Sequence, residues 1–152
     1  MSNVEKIPVP AAAKDVVAKV MDFYTDFSRD SVPRIDELYT QDIEFIDPVH
    51  KLMGSLALKA YLKGMAANML HYEMRYLEKL ESEGSAHLSW EMTFAHKQLN
   101  NGKPILLRGM SLLKFTSKVY YHEDSYDLGA LVYEHVPVLG SVIKFMKNRL
   151  QG

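Results

Sequence analysis

The 152-residue sequence contains no cysteine, which excludes a disulfide framework, a thiolate metal site and a cysteine nucleophile. It has no apolar run near the ~18 residues that a membrane-spanning helix needs, and its first residues lack the apolar segment of a signal peptide. It also lacks an excess of charge of either sign, because 18 basic residues stand against 19 acidic ones. Such a balance is not typical of a nucleic-acid-binding surface. We therefore expect a cytoplasmic protein with no nucleic-acid partner and no stable membrane insertion.

The residues that are present have the composition of an ordinary globular domain, with 47% hydrophobic and 24% charged residues. Apolar residues recur at helical spacing in the N-terminal part, and they alternate with a period of two in the middle of the chain. The pattern predicts three N-terminal helices, at 11–28, from about 31, and at 56–69. It predicts long strands at 72–82, 86–98, 104–115 and 119–126, and an amphipathic helix after Gly140.

One short strand lies among the helices and stops at Pro48. Its alternation puts Ile43, Phe45 and Asp47 on one face. A carboxylate that shares a face with two large apolar side chains is costly to desolvate. Asp47 is therefore either satisfied by local donors, as the turn-forming Asp-Pro pair favours, or kept in an apolar site for acid–base chemistry. The residues of this strand leave both interpretations open.

Two of the long strands present candidate walls for a cavity. One face of the second long strand carries Leu88, Trp90, Met92, Phe94 and His96. One face of the fourth carries Tyr120, His122, Asp124 and Tyr126. Asp124 beside His122 is either a base oriented by its neighbour or a cross-strand polar pair. Between strands, Asn100-Asn101-Gly102 predicts a hairpin because these residues tolerate positive φ.

The predicted fold is an α+β domain, because helices are gathered on one side of an antiparallel sheet. A long antiparallel sheet curls, and helices that cover part of its concave face leave a cone-shaped hollow. We predict a cone-shaped, curled sheet with three N-terminal helices and a C-terminal amphipathic helix. The predicted boundaries are an arm at 1–12, the cone domain at 13–127 and a helical extension at 128–152. This extension closes the cone, forms a dimer interface or touches a membrane surface.

Two short motifs carry a family resemblance. The run Ile46-Asp47-Pro48-Val49, with a glycine-ended loop and an Ala/Leu-rich helix after it, resembles the segment of bacterial ketosteroid isomerases that carries the general base. The stretch Tyr121-His122-Glu123-Asp124 is similar to the His-x-Asp end of SnoaL-like polyketide cyclases. The order of elements over about residues 13–127 resembles the nuclear transport factor 2-like superfamily, which contains both groups. This resemblance implies the cystatin-like cone fold, Asp47 as a general base, Asp124 as an acid/base, and no cofactor.

The chain also departs from the isomerase pattern. Those enzymes place a tyrosine on the first helix and a protonated acid on a later strand as an oxyanion hole. Without gaps, these positions fall on Phe23, which precedes Tyr24, and near Ser111. The epoxide hydrolases of the superfamily instead use an Asp-Arg-Asp set, and Asp47, Arg108 and Asp124 supply those residue types.

The candidate site residues follow from the faces and the resemblance together. The catalytic candidates are Asp47, Asp124, His122 and His50, and a histidine after the Asp-Pro turn can polarise or protonate a substrate near neutral pH. The candidates for contact with a ligand are the large side chains Phe23, Tyr24, Phe45, Tyr61, Met65, Trp90, Met92, Phe94, Met110 and Tyr126. We predict no metal site, because the spacing of His50, His96 and His122 matches no metal motif. Whether Trp90, Met92 and Phe94 line a pocket or a packed core stays open.

Two classes of function remain. In the first, an isomerase-, cyclase- or hydrolase-like enzyme without a cofactor uses Asp47 or Asp124 to abstract a proton next to a carbonyl, or to activate water. In the second, the cone is a non-enzymatic module that binds a small ligand or another protein, and the acids are structural. The expected partner in the pocket is a small hydrophobic molecule. The resemblance also implies a homodimer through the outer face of the sheet, on which we place Tyr72 and Tyr76.

Overall fold

The computed structural model describes residues 16–129 and 137–151. These residues form a mixed α+β domain around a curled six-stranded sheet of order β2-β1-β6-β5-β4-β3. The strands are β1 (Tyr39–Ile46), β2 (Lys51–Met53), β3 (Met69–Ser82), β4 (Ser85–His96), β5 (Ile105–Phe115) and β6 (Val119–Tyr126). The helices are α1 (Val16–Thr25), α2 (Ile35–Leu38), which continues the 3-10 turn Arg29–Arg34, α3 (Ser55–Ala67) and α4 (Pro137–Gln151). The predicted fold class is confirmed.

Helix α1 packs an apolar stripe into the core between the helices and the sheet. The buried residues of this stripe, which runs just past the end of the helix, are Val16, Val20, Phe23 and Phe27. After the helix, the backbone N–H of Ser28 donates to Oγ of Ser31 at 3.0 Å and so opens the 3-10 turn. The predicted start of the helix near Ala11 and the arm at 1–12 lie outside the described residues.

The register of the sheet brings polar side chains of β5 and β6 together. Strand β6 pairs in parallel with β1 and antiparallel with β5. Ser111 lies opposite Asp124, and His122 lies beside Phe45 of β1. Because strand side chains alternate, Ser111, His122 and Asp124 all point to the concave face, which the helices partly cover.

A β-bulge decides which side chains of β6 face inward. The register shifts between Lys114 and Phe115, whose partners on β6 are Tyr121 and Val119. Tyr120 is therefore the extra residue, and it is 44% exposed. Its predicted place on the face of His122 is wrong, because a bulge adds one residue to one strand and breaks the alternation.

The turn between β4 and β5 is made by residues that tolerate a left-handed backbone. Asn100, Asn101 and Gly102 have φ values of 51°, 55° and 74°. Asparagine and glycine are the residues that adopt this region at low cost. The predicted turn is confirmed.

Helix α4 begins at Pro137, before Gly140, where the sequence pattern had placed its start. Proline suits the first turn of a helix because its missing N–H has no partner there. Nζ of Lys147 on this helix donates to Oδ2 of Asp127 at 3.0 Å. The apolar side chains of Phe145 and Met146 are exposed. Within the described residues, no helix has both the length and the apolar character that crossing a membrane requires.

Candidate functional site

A cavity of about 260 Å³ lies between the concave face of the sheet and helices α1 and α3. Its aromatic lining consists of Tyr24, Phe45, Tyr61, Tyr72, Tyr76, Trp90, Phe94 and Tyr126. Its polar lining consists of Asp47, His50, His96, Ser111, His122 and Asp124. Methionines complete much of the wall: Met65, Met69, Met74 and Met92. Flexible methionine side chains let such a wall adapt to the shape of a ligand.

Asp47 is held by the turn that follows it. Its Oδ1 accepts the backbone N–H of Val49 at 2.8 Å and that of His50 at 2.7 Å, and Nδ1 of His50 lies 3.3 Å away. Its Oδ2 accepts the hydroxyl of Tyr61 at 2.8 Å. Burial, this hydrogen bond and the charge of Asp47 together raise the pKa of Tyr61 far above its ordinary value. Both oxygens of Asp47 are therefore engaged, as the turn interpretation expects.

Asp124 has the opposite arrangement, with one oxygen held and the other free. Its Oδ1 accepts the hydroxyl of Ser111 at 2.5 Å and lies 2.8 Å from Nε2 of His122. Within the described residues, Oδ2 accepts no hydrogen bond. The side chain is 21% exposed, whereas that of His122 is 3% exposed. The carboxylate is thus fixed in orientation by protein donors, while its side chain lines the cavity and is partly exposed.

A chain of hydrogen bonds behind Asp124 fixes the direction of each donor. The indole N–H of Trp90 can only donate, and its 2.9 Å bond to Oγ of Ser111 directs the Ser111 hydroxyl proton to Asp124. On the other side, Nδ1 of His122 lies 2.8 Å from the hydroxyl of Tyr39. A neutral His122 that donates from Nε2 to Asp124 accepts the Tyr39 proton at Nδ1. Ser111 and His122 therefore both donate to Oδ1 of Asp124, and Trp90 and Tyr39 fix the orientation of these two donors.

The chain continues from the core to the cavity wall. The hydroxyl of Tyr39 is 3.0 Å from that of Tyr24, and Tyr24 lines the cavity. Burial is the main cause that raises the pKa of both phenols well above the ordinary value, and the charge of Asp124 adds to it. Both phenols therefore stay protonated at neutral pH and serve as hydrogen-bond donors.

Trp90 reaches Ser111 because the opposite strand carries no side chain in its path. Trp90 pairs with Gly109 across β4 and β5, two residues before Ser111. A Cβ placed on Gly109 would lie 2.3 Å from the indole ring. The glycine therefore lets the indole lie flat over the neighbouring strand and donate to the side chain beyond it.

A wider surface depression of about 720 Å³ lies beside α2 and α3. Its charged residues are already paired, since Nζ of Lys59 donates to Asp36 at 2.6 Å. That hydrogen bond is the main cause that lowers the pKa of Asp36. The nearby Nζ of Lys118 donates to the backbone carbonyl of Asp36. The charged groups of the depression are therefore engaged with one another, which makes it a weaker candidate for a ligand site than the cavity.

The cavity brings together all four catalytic candidates and most of the ligand-contact candidates, while two of the latter lie elsewhere. Phe23 is fully buried in the core, and its neighbour Tyr24 takes the place on the wall. Met110 is 53% exposed because the adjacent residues of β5 point inward and it must point outward. Their predicted contact with a ligand is corrected.

Three other placements differ from the sequence-based expectations. Arg108 lies on the outer face, where its Nε donates to Glu91 at 2.8 Å, so it does not complete an Asp-Arg-Asp set in the cavity. Tyr72 and Tyr76 line the cavity instead of the outer face. In each case the side chain lies on the opposite face of the sheet from the expected one, because an error of one residue in a strand start exchanges the two faces.

Sequence reasoning missed Tyr39, which connects the core to His122. A usable signal existed, because Tyr39 is in phase with Ile43 and Phe45 when the alternation of β1 is followed backwards. Ser111 was considered only as the residue at the position of an isomerase acid. Its contact with Asp124 depends on the register between β5 and β6, which the sequence of either strand alone does not give. His96 does reach the cavity wall. Among the described residues, no group of three or more histidine, aspartate or glutamate side chains is arranged to hold a metal ion.

A curled sheet partly covered by three helices, with a cavity at its concave face, defines the nuclear transport factor 2-like class of α+β cones. The chain belongs to the SnoaL-like domain family, whose model matches residues 20–119. No curated protein sequence matches this chain at a significant level.

Several solved structures share the fold. An NTF2-like protein of unknown function from Burkholderia pseudomallei is 12% identical, with a TM-score of 0.71 over 83% of this chain and 98% of its own. A candidate SnoaL-like polyketide cyclase from a Jannaschia species is 14% identical, with a TM-score of 0.70 over 88% and 97%. A hypothetical protein with a ketosteroid isomerase-like fold from Catenulispora acidiphila, in complex with trimethylamine, is 11% identical, with a TM-score of 0.66 over 84% and 94%. At these identities the similarity shows the fold alone.

Proposed function

We propose that this chain binds a small hydrophobic molecule in the cavity and acts on it by cofactor-independent acid–base chemistry, with Asp124 as the base. The observation that carries this proposal is the asymmetry of the Asp124 carboxylate. Its Oδ1 is held by Ser111 and His122, its Oδ2 accepts no hydrogen bond from the described residues, and the side chain lines the cavity. A general base needs a fixed orientation and one accessible lone pair, and this arrangement supplies both.

Asp124 is a better base than Asp47 in this geometry. A proton on Asp47 would displace either the two backbone N–H donors at Oδ1 or the Tyr61 hydroxyl at Oδ2. The resemblance implies that both Asp47 and Asp124 are acid–base residues. The contacts of Asp47 instead favour a structural role in holding the turn and the Tyr61 side chain at the cavity wall. Because the Tyr39 hydroxyl donates to His122, the Tyr24 hydroxyl donates to Tyr39 and completes the chain of hydrogen bonds behind Asp124.

The cavity supports a ligand of modest size. A volume of about 260 Å³ is slightly below the ~300–1,000 Å³ of pockets for drug-sized ligands, so a molecule of one or two rings suits it. The crystallised Catenulispora protein of the same fold holds a small organic amine. Because the proposed base removes a proton in an apolar cavity, the substrate class that we propose is a small, largely apolar molecule with an acidic C–H next to a carbonyl.

The test measures proton abstraction and binding separately. Small cyclic ketones and 1,3-diketones are incubated with the protein in D₂O, and loss of the α-proton signal is followed by NMR. We expect the wild type to accelerate exchange of at least one compound. We expect Asp124→Asn to reduce this rate at least about tenfold, since a general base typically contributes about a hundredfold or more. Binding is followed by the fluorescence of Trp90, which is the single tryptophan of the chain and lines the cavity.

Glu123→Gln is the matched control, because Glu123 is the neighbouring acid on β6 and its Oε2 accepts the Tyr121 hydroxyl. This variant should keep the wild-type exchange rate. Exchange at the buffer rate with every compound, together with quenching of Trp90, would support the non-enzymatic binding module instead. A loss of exchange in Asp47→Asn but not in Asp124→Asn would assign the base to Asp47.

We further propose that two copies of this chain pair through the outer face of the sheet, as the resemblance implies. Leu106 and Met110 of β5 are 58% and 53% exposed there. Light scattering after gel filtration should give twice the chain mass for the wild type and the chain mass for the double variant Leu106→Glu/Met110→Glu. Leu56→Glu is the control, since Leu56 is even more exposed, at 79%, but lies on α3. A monomeric wild type would contradict the pairing.

A further inference from the structure

We propose that the cavity is selective for organic cations, so that its ligand carries a protonated or quaternary amine beside its apolar part. This inference rests on the proposed function for the existence of a ligand in the cavity, and it adds the chemical class of that ligand. It is carried by two features of the wall, its charge and the way in which its aromatic side chains are held.

The charge of the lining is of one sign. Two carboxylates, Asp47 and Asp124, line the cavity, and within the described residues no lysine or arginine does. The histidines of the wall add positive charge only when they are protonated. The arginines of the sheet, Arg75 and Arg108, are on its outer face and are paired with Glu91. The cavity therefore holds negative charge that no lysine or arginine among the described residues neutralises.

The aromatic side chains present rings to the cavity while several of their hydroxyl groups are occupied elsewhere. The Tyr61 hydroxyl donates to Asp47, and the Tyr72 hydroxyl donates to the backbone carbonyl of Tyr24 at 2.6 Å. The Tyr24 hydroxyl is held by Tyr39. What these residues offer a ligand is therefore mainly π surface, to which ammonium groups bind by cation–π attraction.

The electrostatic influence of Asp124 extends over this aromatic wall. Burial is the largest cause that raises the pKa of Tyr72 and Tyr126 far above the ordinary value, and the charge of Asp124 contributes to both. A neutral ligand that displaces water from Oδ2 of Asp124 would leave that charge without a partner, which is unfavourable in an apolar site. A cation at the same position compensates the lost hydration and contacts the rings as well.

The experiment compares a permanent cation with its neutral isostere. Choline and 3,3-dimethyl-1-butanol differ by the replacement of N⁺ with carbon, so their shapes match while their charges differ. Each is titrated into the full-length protein at constant ionic strength, set with sodium chloride, and Trp90 fluorescence reports binding. We expect choline to bind at least about tenfold more tightly, as a desolvated cation–π contact with a nearby carboxylate implies.

Variants then separate the charge from the shape. Asp124→Asn should remove most of the preference for choline, measured as the ratio of the two dissociation constants, and thermal melting confirms that the variant is folded. Glu123→Gln, whose carboxylate is bonded to Tyr121, should keep the preference. Equal or tighter binding of the alcohol would overturn the inference and leave the small-molecule cavity standing. Failure of both probes to bind would also overturn it, and binding of the ketone compounds would then show that the proposed function survives on its own.

Discussion

Gly109→Ala is expected to lower the free energy of unfolding by about 3 kcal/mol, the upper end of the usual cost of overpacking. The added Cβ would lie 2.3 Å from two carbon atoms of the Trp90 ring and 2.9 Å from the carbonyl oxygen of Ser125. The backbone oxygen cannot move away without breaking the pairing of β5 with β6. The indole is 4% exposed and bonded to Ser111, so it cannot swing out at low cost. Urea unfolding of the purified variant measures this loss.

The same substitution should also change the site, because a displaced indole no longer donates to Ser111. Ser111 is then free to rotate, and Asp124 loses one of the two donors at its Oδ1. A red shift of the tryptophan emission would report the displacement directly, since Trp90 is the only indole. Gly64→Ala is the matched control, because a Cβ there meets nothing within 4 Å. In the middle of α3 it should raise stability by about 0.5–1 kcal/mol. Wild-type stability and emission in Gly109→Ala would contradict the packing described here.

The sequence was most informative where one local pattern decided the structure. In β1, alternation alone placed Ile43, Phe45 and Asp47 on the buried face, because a strand has only two faces and one of them is hydrophobic. In the β4–β5 connection, the Asn-Asn-Gly turn was predictable because the backbone preference is a property of the residues themselves. The pairing of His122 with Asp124 was also foreseen as one of two alternatives, since they are two residues apart on one strand.

Features that depend on several elements at once were beyond the sequence. The choice of Tyr24 over Phe23 for the cavity depends on the rotation of α1 against the sheet, and both residues are aromatic members of the apolar side of the helix. Met110 and Tyr120 were misplaced because strand parity needs either a precise strand start or the position of a bulge. The path from Tyr39 to His122 joins residues 83 positions apart, and only the register of β1 against β6 brings them together.

The network explains why a polar group as costly as His122 is tolerated at 3% exposure. Each ring nitrogen of His122 has a partner, Tyr39 at Nδ1 and Asp124 at Nε2. A buried polar group with all its hydrogen bonds made costs little, whereas a half-satisfied one costs much. The fold thus holds the candidate base in place with side chains that are also part of the packed core, which links the stability of the domain to the geometry of its site.

Alkaline pH is expected to destabilise this protein steeply, because its buried phenols must ionise on unfolding. Burial is the main cause that raises the pKa of these tyrosines above the ordinary value: Tyr24, Tyr39, Tyr61, Tyr72 and Tyr76. Below about pH 10 both states keep these protons, so stability does not depend on them. Above it the unfolded chain loses protons that the folded protein retains, and the free energy of unfolding falls as the pH rises. Each such tyrosine contributes about 1.4 kcal/mol per pH unit, or about 7 kcal/mol for five at about pH 11.

Urea unfolding between about pH 8 and about pH 11 measures this slope, from which the number of protons released on unfolding follows by linkage. That number distinguishes buried phenols from a general effect of charge, because it counts groups that keep their protons only in the folded state. Tyr72→Phe removes one such group, so the slope above about pH 10 should fall by one proton even though the loss of the bond to Tyr24 lowers stability at every pH. An unchanged slope in this variant would show that the phenol of Tyr72 is not protected by burial. A flat profile in the wild type would contradict the closed aromatic wall on which the cavity depends.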